Sequence, residues 1–253
     1  MLDREKLAAD LEIGLHNGDV YALFQPLIDV SSGRIVGAEG LCRWTHSHGF
    51  AVPPDMFMPL AEASGLIHEL GRFMLDQCLS AVGGWRAGGS VIDVSVNVSP
   101  TQLMDLSFAG LLIEQLTARA LALSAVTIEI TESVPVRDLE RILPGLERLR
   151  ERGVGVSLDD YGTGHASPDQ LDRLPLTEVK LDRSLIRDGH AGVTGSLRAV
   201  LSRAHERDLR VVAEGIETAE QMSFVQDLGA DRAQGYLLGA PMPKTQLDAL
   251  LNV

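Results

Sequence analysis

Short apolar, β-branched runs alternate with segments of helical period along nearly the whole chain. The runs fall at residues 22–30, 34–41, 91–98, 126–132, 155–159, 178–181, 210–214 and 233–238, and their composition and length predict strands. Amphipathic stretches at 57–64, 66–85, 108–120, 139–152, 193–207, 219–228 and 245–250 lie between most of them, each gathering apolar residues on one helical face. Residues 1–20 are expected to form a helical lead-in. No linker or low-complexity seam breaks the pattern, so 1–253 is expected to be a single domain.

Strand and helix alternating over 253 residues is the pattern of an α/β, TIM-like (β/α)8 barrel. The first two runs are joined by only Ser31-Ser32-Gly33, far too few residues for a parallel crossover. The first strand is therefore expected to run antiparallel to the rest. An open, doubly wound sheet would collect a ligand at one crevice, whereas here polar residues stand at or near the ends of nearly all the runs.

Those residues are Glu39, Asn97, Glu129, Asp159 with Asp160, Lys180 and Glu214. At the carboxyl ends of barrel strands they would converge on one face. Two carboxylates about 4 Å apart repel by roughly 4 kcal/mol at an effective dielectric of 20, so such a cluster calls for protons or cations among its members. Oxygen donors without His or Cys select Mg²⁺, Mn²⁺ or Ca²⁺. Adjacent Asp159 and Asp160 can share a site only if the strand ends there, and Gly162-Thr163-Gly164 supplies that ending. An aspartate shared between two ions suits in-line attack at phosphorus. Lys180, in an apolar strand context, needs surrounding carboxylates.

Charge narrows the partners. The formal net charge is −13 and the isoelectric point about 4.9, which argues against general affinity for DNA, RNA or an anionic membrane. The start is charged and no 18 consecutive residues are apolar, so this portion is expected to be cytoplasmic, without direct membrane contact. Cys42 and Cys78 lack metal spacing and read as free thiols. His46-Ser47-His48 lacks a third ligand and reads as a solvated loop, and Gly153-Val154-Gly155 reads as a helix C-cap entering a strand.

Glu39-Gly40-Leu41-Cys42-Arg43 resembles the Glu-x-Leu-x-Arg signature of the EAL family of cyclic di-GMP phosphodiesterases. Agreement continues through Asn97-Val98-Ser99, Glu129-Ile130-Thr131-Glu132-Ser133, Asp159-Asp160-Tyr161-Gly162-Thr163-Gly164, Val179-Lys180-Leu181-Asp182, Ala213-Glu214-Gly215-Ile216-Glu217 and Gln234-Gly235-Tyr236, in family order from about residue 21 to 243. The resemblance implies two Mg²⁺ or Mn²⁺ ions per site, with Ca²⁺ inhibitory. Glu39, Asn97, Glu129 and Asp159 would hold one, and Asp159, Asp160 and Glu214 the other. Glu39, Lys180 and Glu214 would serve catalysis, Lys180 by contacting the metal-bound water. Gln25, Leu41, Arg43, Asp182, Glu217 and Gln234 would bind the dinucleotide, and Glu132 would anchor the loop after Asp160. The implied reaction opens cyclic di-GMP to linear 5′-pGpG. A homodimer and an upstream sensory or GGDEF-type domain are further implications.

Two departures from the family pattern stand out. Gly40 replaces the signature's alanine, a small-for-small exchange expected to have little chemical effect. The family's Gly-Thr-Gly-Tyr-Ser-Ser-Leu is here Gly162-Thr163-Gly164-His165-Ala166-Ser167-Pro168, which loses a hydroxyl and fixes a backbone φ. That change motivates the alternative of a weak or inactive cyclic di-GMP receptor.

Overall fold

The computed structural model describes residues 4–132, 136–162, 168–189 and 195–252. Its strands are β1 (Val20–Asp29), β2 (Ile35–Thr45), β3 (Ala51–Val52), β4 (Asp93–Asn97), β5 (Val126–Thr131), β6 (Gly155–Tyr161), β7 (Glu178–Leu181), β8 (Arg210–Ala213) and β9 (Arg232–Ala233). From β2 through β4 to β9 each strand pairs in parallel with the next. β1 closes the ring, pairing antiparallel with both β2 and β9. The result is a closed eight-stranded barrel with a reversed first strand, and the open-sheet alternative is excluded. β3 is a short flap outside the ring on the far end of β2.

The hairpin turn has a local cause. Asp29 Oδ1 accepts from the Ser31 hydroxyl, the Ser32 hydroxyl and the Ser32 N–H at 2.7, 2.7 and 2.8 Å, the Asx-type bonding that folds a chain back on itself. These bonds, the Ser32 hydroxyl's above all, hold the Asp29 carboxyl down to about 2.

Helices wrap the barrel, among them α1 (Arg4–Asn17), α2 (Pro54–Ser64) and α3 (Ile67–Ala87). α3 shows why: Leu70, Met74, Cys78, Leu79, Val82 and Trp85 are buried, a three-to-four residue spacing that lays one face on the sheet. The helix Val136–Glu151 ends at Gly153, whose φ of +93° turns the chain into β6 as the sequence suggests. A second, separate core joins α1 and α2 to Trp44 through Leu7, Leu11, Phe57 and Leu60.

Several boundaries differ from expectation. β2 runs on to Thr45, so Glu39 sits mid-strand instead of at a strand end. β9 is two residues long, and Tyr236 and Leu237 beyond it are exposed, 70% and 47%. β6 extends to Tyr161, but its pairing with β7 shifts between Leu158 and Tyr161, and Asp160 has a φ of +57°. That irregularity, not a strand end at Asp159, lets two consecutive aspartates serve one face. His46 also departs from the solvated-loop reading. It is 5% exposed, stacks on Phe50 at 4.6 Å and bonds Asp10 of α1 at 3.2 Å, while His48 is exposed.

Polar pairs line the lower barrel. Arg210 donates to Glu178 Oε2 at 2.6 Å, and Arg232 and Arg86 reach Asp93 at 3.0 and 3.3 Å. The acidic cluster around Lys180 lies nearer the carboxyl ends of the strands, with Lys180 two residues beyond Glu178 on β7 and Asn97 four beyond Asp93 on β4.

Candidate functional site

Lys180 of β7 is 1% exposed and lies at the centre of the acidic residues. Its Nζ is 3.2 Å from Glu39 Oε2, 3.0 Å from Glu129 Oε2, 3.0 Å from Asp159 Oδ1 and 2.7 Å from Glu214 Oε1. These acids come from β2, β5, β6 and the end of β8, so the ring itself brings them together. Asn97 Nδ2 donates to Glu39 Oε1 at 2.8 Å, and the Asp160 N–H donates to Asp159 Oδ1 at 3.0 Å.

The carboxylates sort into two triads. Oxygens of Glu39, Glu129 and Asp159 lie within 4.8 Å of one another, and so do those of Asp159, Asp160 and Glu214. Asp159 belongs to both. The donors are all carboxylate oxygens, crowded within 4.8 Å of one another in each triad. This set fits hard divalent cations, which tolerate several carboxylates at once.

A cavity of about 400 Å³ opens over this floor. Gln25, Glu39, Asp160, Asp182, Glu214, Glu217 and Gln234 line it. Gln25 donates to the Gly239 carbonyl at 3.0 Å, which ties β1 to the segment after β9. Leu41 and Arg43 are not among the lining side chains. Both are half-buried farther along β2, and Arg43 donates to the Cys42 carbonyl at 2.9 Å. Glu132, 1% exposed, accepts from the Gly162 N–H at 3.1 Å, at the start of the loop it is expected to anchor. The departures at 165 and 166 lie outside the described residues, and the third, Pro168, opens the helix Pro168–Arg173.

Residues 8–241 match the EAL domain family. The chain belongs to that family. It is 36% identical over 245 residues to the bifunctional diguanylate cyclase/cyclic di-GMP phosphodiesterase MucR of Pseudomonas aeruginosa, covering 96% of this chain and 36% of that protein. It is 33% identical over 250 residues to the cyclic di-GMP phosphodiesterase NbdA of the same organism, covering 98% of this chain and 32% of that protein. The chain thus spans about a third of the length of these curated relatives. Among solved structures, the PaMucR phosphodiesterase in complex with c-di-GMP superimposes with a TM-score of 0.88 at 35% identity, covering 96% of this chain and 99% of that one. The EAL enzyme Bd1971, in its cAMP- and cyclic-di-GMP-bound form, gives 0.90 at 26% identity, covering 99% and 69%.

The electrostatics of this EAL domain follow from one ammonium among five carboxylates. Burial works against the charge on Lys180, yet Asp159, Glu129, Glu214 and Glu39 together raise its pKa well above 10.5. Burial also works against Glu39, but the Lys180 charge and hydrogen bonds from Asn97 and Lys180 outweigh it, leaving Glu39 below its ordinary value. The other acids are left short of positive charge. Burial, reinforced by Glu39, lifts Glu129 well above the carboxylate range. Burial likewise raises Asp159 against the pull of Lys180, and pushes Glu214 up to about 8. Asp160 rises to about 6 through burial and the neighbouring Asp159. Without further cations the EAL site holds protons in their place.

Sequence reasoning missed Arg183, Gly215 and the placement of Tyr236, all of which line the cavity. Arg183 follows Asp182 directly and could have been found from that adjacency. Tyr236 lies in an apolar run that predicts strand, whereas it stands exposed beyond β9 against the cavity. The described residues contain no helix long and apolar enough to cross a membrane.

Proposed function

We propose that this EAL domain is a metal-dependent phosphodiesterase that hydrolyses cyclic di-GMP to linear 5′-pGpG. The observation that carries this reading is the pair of carboxylate triads sharing Asp159 around Lys180, on the floor of an open cavity. Glu39, Asn97, Glu129 and Asp159 would hold one Mg²⁺ or Mn²⁺, and Asp159, Asp160 and Glu214 a second. When bound, the two ions would neutralise the acids, make a water more acidic and polarise the phosphate oxygens.

The chain's own groups do the rest. Lys180 Nζ, within 3.2 Å of four carboxylates, fixes their oxygens about one point, and with ions bound to those acids it would be free to donate one N–H to the attacking water. Gln25 and Gln234 face the cavity with neutral amides suited to sugar and phosphate oxygens, while Asp182 and Glu217 offer acceptors to guanine N–H groups. Leu41 and Arg43 continue the strand that bears Glu39, and the Arg43 donor fork suits a phosphate at the rim. Glu132 holds the Gly162 N–H, which sets the start of the loop beside Asp160. Ca²⁺, larger and less exacting in geometry, would occupy the triads without supporting turnover.

Purified protein incubated with cyclic di-GMP and Mn²⁺, its products separated by chromatography, should yield pGpG. Binding without product would replace this reading with a receptor, the alternative motivated by the sequence at 165–168. A homodimer, an upstream sensory or GGDEF-type domain, action in the cytoplasm and a single domain over 1–253 belong to the same proposal. Light scattering over a concentration series that returns only the monomer mass would reject the dimer.

A further inference from the structure

At one level inside the barrel, three neighbouring strands each carry a buried polar atom without a hydrogen-bond partner among the described residues. They are Glu129 Oε1 on β5, Ser157 Oγ on β6 and Glu178 Oε1 on β7. The register sets Glu129 opposite Ser157 and Ser157 opposite Glu178, positions about 4.8 Å apart whose side chains point to the same face. None of the three residues is more than 1% exposed. The second oxygen of each carboxylate is already engaged, Glu129 Oε2 by Lys180 at 3.0 Å and Glu178 Oε2 by Arg210 at 2.6 Å.

Leaving a buried polar atom unsatisfied costs about 1–3 kcal/mol, so three side by side call for a common partner. Donor counting identifies it. With both carboxylates ionised, the state in which Glu129 can hold a cation, their two oxygens can only accept, and one hydroxyl brings one proton. A single water closes the balance: it accepts from the Ser157 O–H and donates to Glu129 Oε1 and Glu178 Oε1. Three hydrogen bonds is the usual number for a buried water.

We propose that Ser157 is a positioning residue, which through one internal water shared with Glu178 fixes Glu129 Oε1 and hence the carboxylate offered to the first triad. The inference rests on the reading of Glu129 as a metal ligand. It links the Arg210–Glu178 pair of the barrel floor to the metal site, in the way outer partners orient ligands elsewhere.

The test is calorimetric titration with Mn²⁺, without nucleotide, of the wild type and of Glu129→Gln, Ser157→Ala and Ser157→Thr, with the melting temperature of each in chelator. Ser157→Ala should bind about tenfold more weakly, the lower end of what outer partners contribute, and Ser157→Thr should recover most of that loss. Metal-free melting temperatures close to wild type would separate positioning from a general structural effect. Wild-type affinity in Ser157→Ala, alongside weakened binding in Glu129→Gln, overturns this proposal and leaves the metal site standing. No binding by the wild type overturns both. A crystal structure of the wild type decides independently of how the variants fold. An ordered water within hydrogen-bond distance of all three atoms supports the link, and its absence from clear density refutes it.

Discussion

Asp159 is the residue on which both triads depend, and Gly40 is the one whose smallness the packing requires. Asp159→Asn removes a negative oxygen from two cation sites at once. Hydrolysis of cyclic di-GMP should therefore fall by more than the roughly 10–100-fold typical of outer partners, and Glu39→Ala should do the same. Turnover within a few-fold of wild type in either variant would refute the site. Gly40 stands where the family signature has alanine, and a Cβ there would collide with Cys78 Sγ. Cys78, fully buried with its thiol pKa raised by that burial, fills the space an alanine would need. Gly40→Ala should destabilise by about 1–3 kcal/mol through overpacking, and Cys78→Ala in the same chain should relieve much of it. Additive effects in a urea double-mutant cycle would show the two sites to be independent. The pairing was illegible in the sequence because the partners stand 38 positions apart and neither has a partner-specific pattern.

At the scale of elements, what was legible follows the physics of burial. Strands buried on both faces are short apolar runs whatever surrounds them, so β5, β6, β7 and β8 began where the runs begin. The length of β2 was hidden because the charge of Arg43 interrupts the apolar run within Cys42–Thr45. That segment is nonetheless strand, since it pairs with β1 on one side and, at Trp44 and Thr45, with β3 on the other. β9 was overestimated because the apolar Tyr236-Leu237-Leu238 reads as strand, although the chain has already left the sheet at Gln234. The helices Pro168–Arg173 and Arg183–Gly189 are too short to impose a period. The acidic residues of the cluster were legible because acids beside apolar runs are rare, whereas the convergence of four of them on Lys180 needed the ring to close. The helical lead-in proved to be a working part of the molecule. Leu7 and Leu11 of α1 are 2% and 1% exposed against Trp44 and Phe57. Leu11→Ala should cost about 2–5 kcal/mol, read as a lowered urea midpoint with unchanged slope. An unchanged midpoint would mean that α1 contributes nothing to the core of this domain.

For the whole molecule, the acidic cluster makes stability, protons and divalent cations competitors. Glu214 titrates near 8 in the folded chain against an ordinary 4.5, and Asp160 near 6 against 3.8; Glu129 and Asp159 are also raised. Between the ordinary and the raised values the folded chain keeps protons that the unfolded chain has released, so stability falls as pH rises. Glu39, which is lowered, acts in the opposite sense, but its contribution is complete once the pH exceeds its unfolded value. Lys180 is charged in both states throughout this range, since its pKa lies above 10.5 in the fold. The metal-free protein should therefore lose thermal stability steadily from about pH 5 to pH 8. At roughly 2–4 °C per kcal/mol for a chain of this size, the fall amounts to several degrees. Divalent ions need the same oxygens deprotonated, and their binding releases the protons. Saturating Mn²⁺ should accordingly raise the melting temperature little at pH 5 and most at pH 8, reversing the slope seen in chelator. Scanning calorimetry at four pH values with and without Mn²⁺ distinguishes the cases. A metal-free melting temperature that stays flat or climbs across this window would mean that the cluster does not share protons as its burial requires. A Mn²⁺ shift independent of pH would place the ion elsewhere than among these carboxylates.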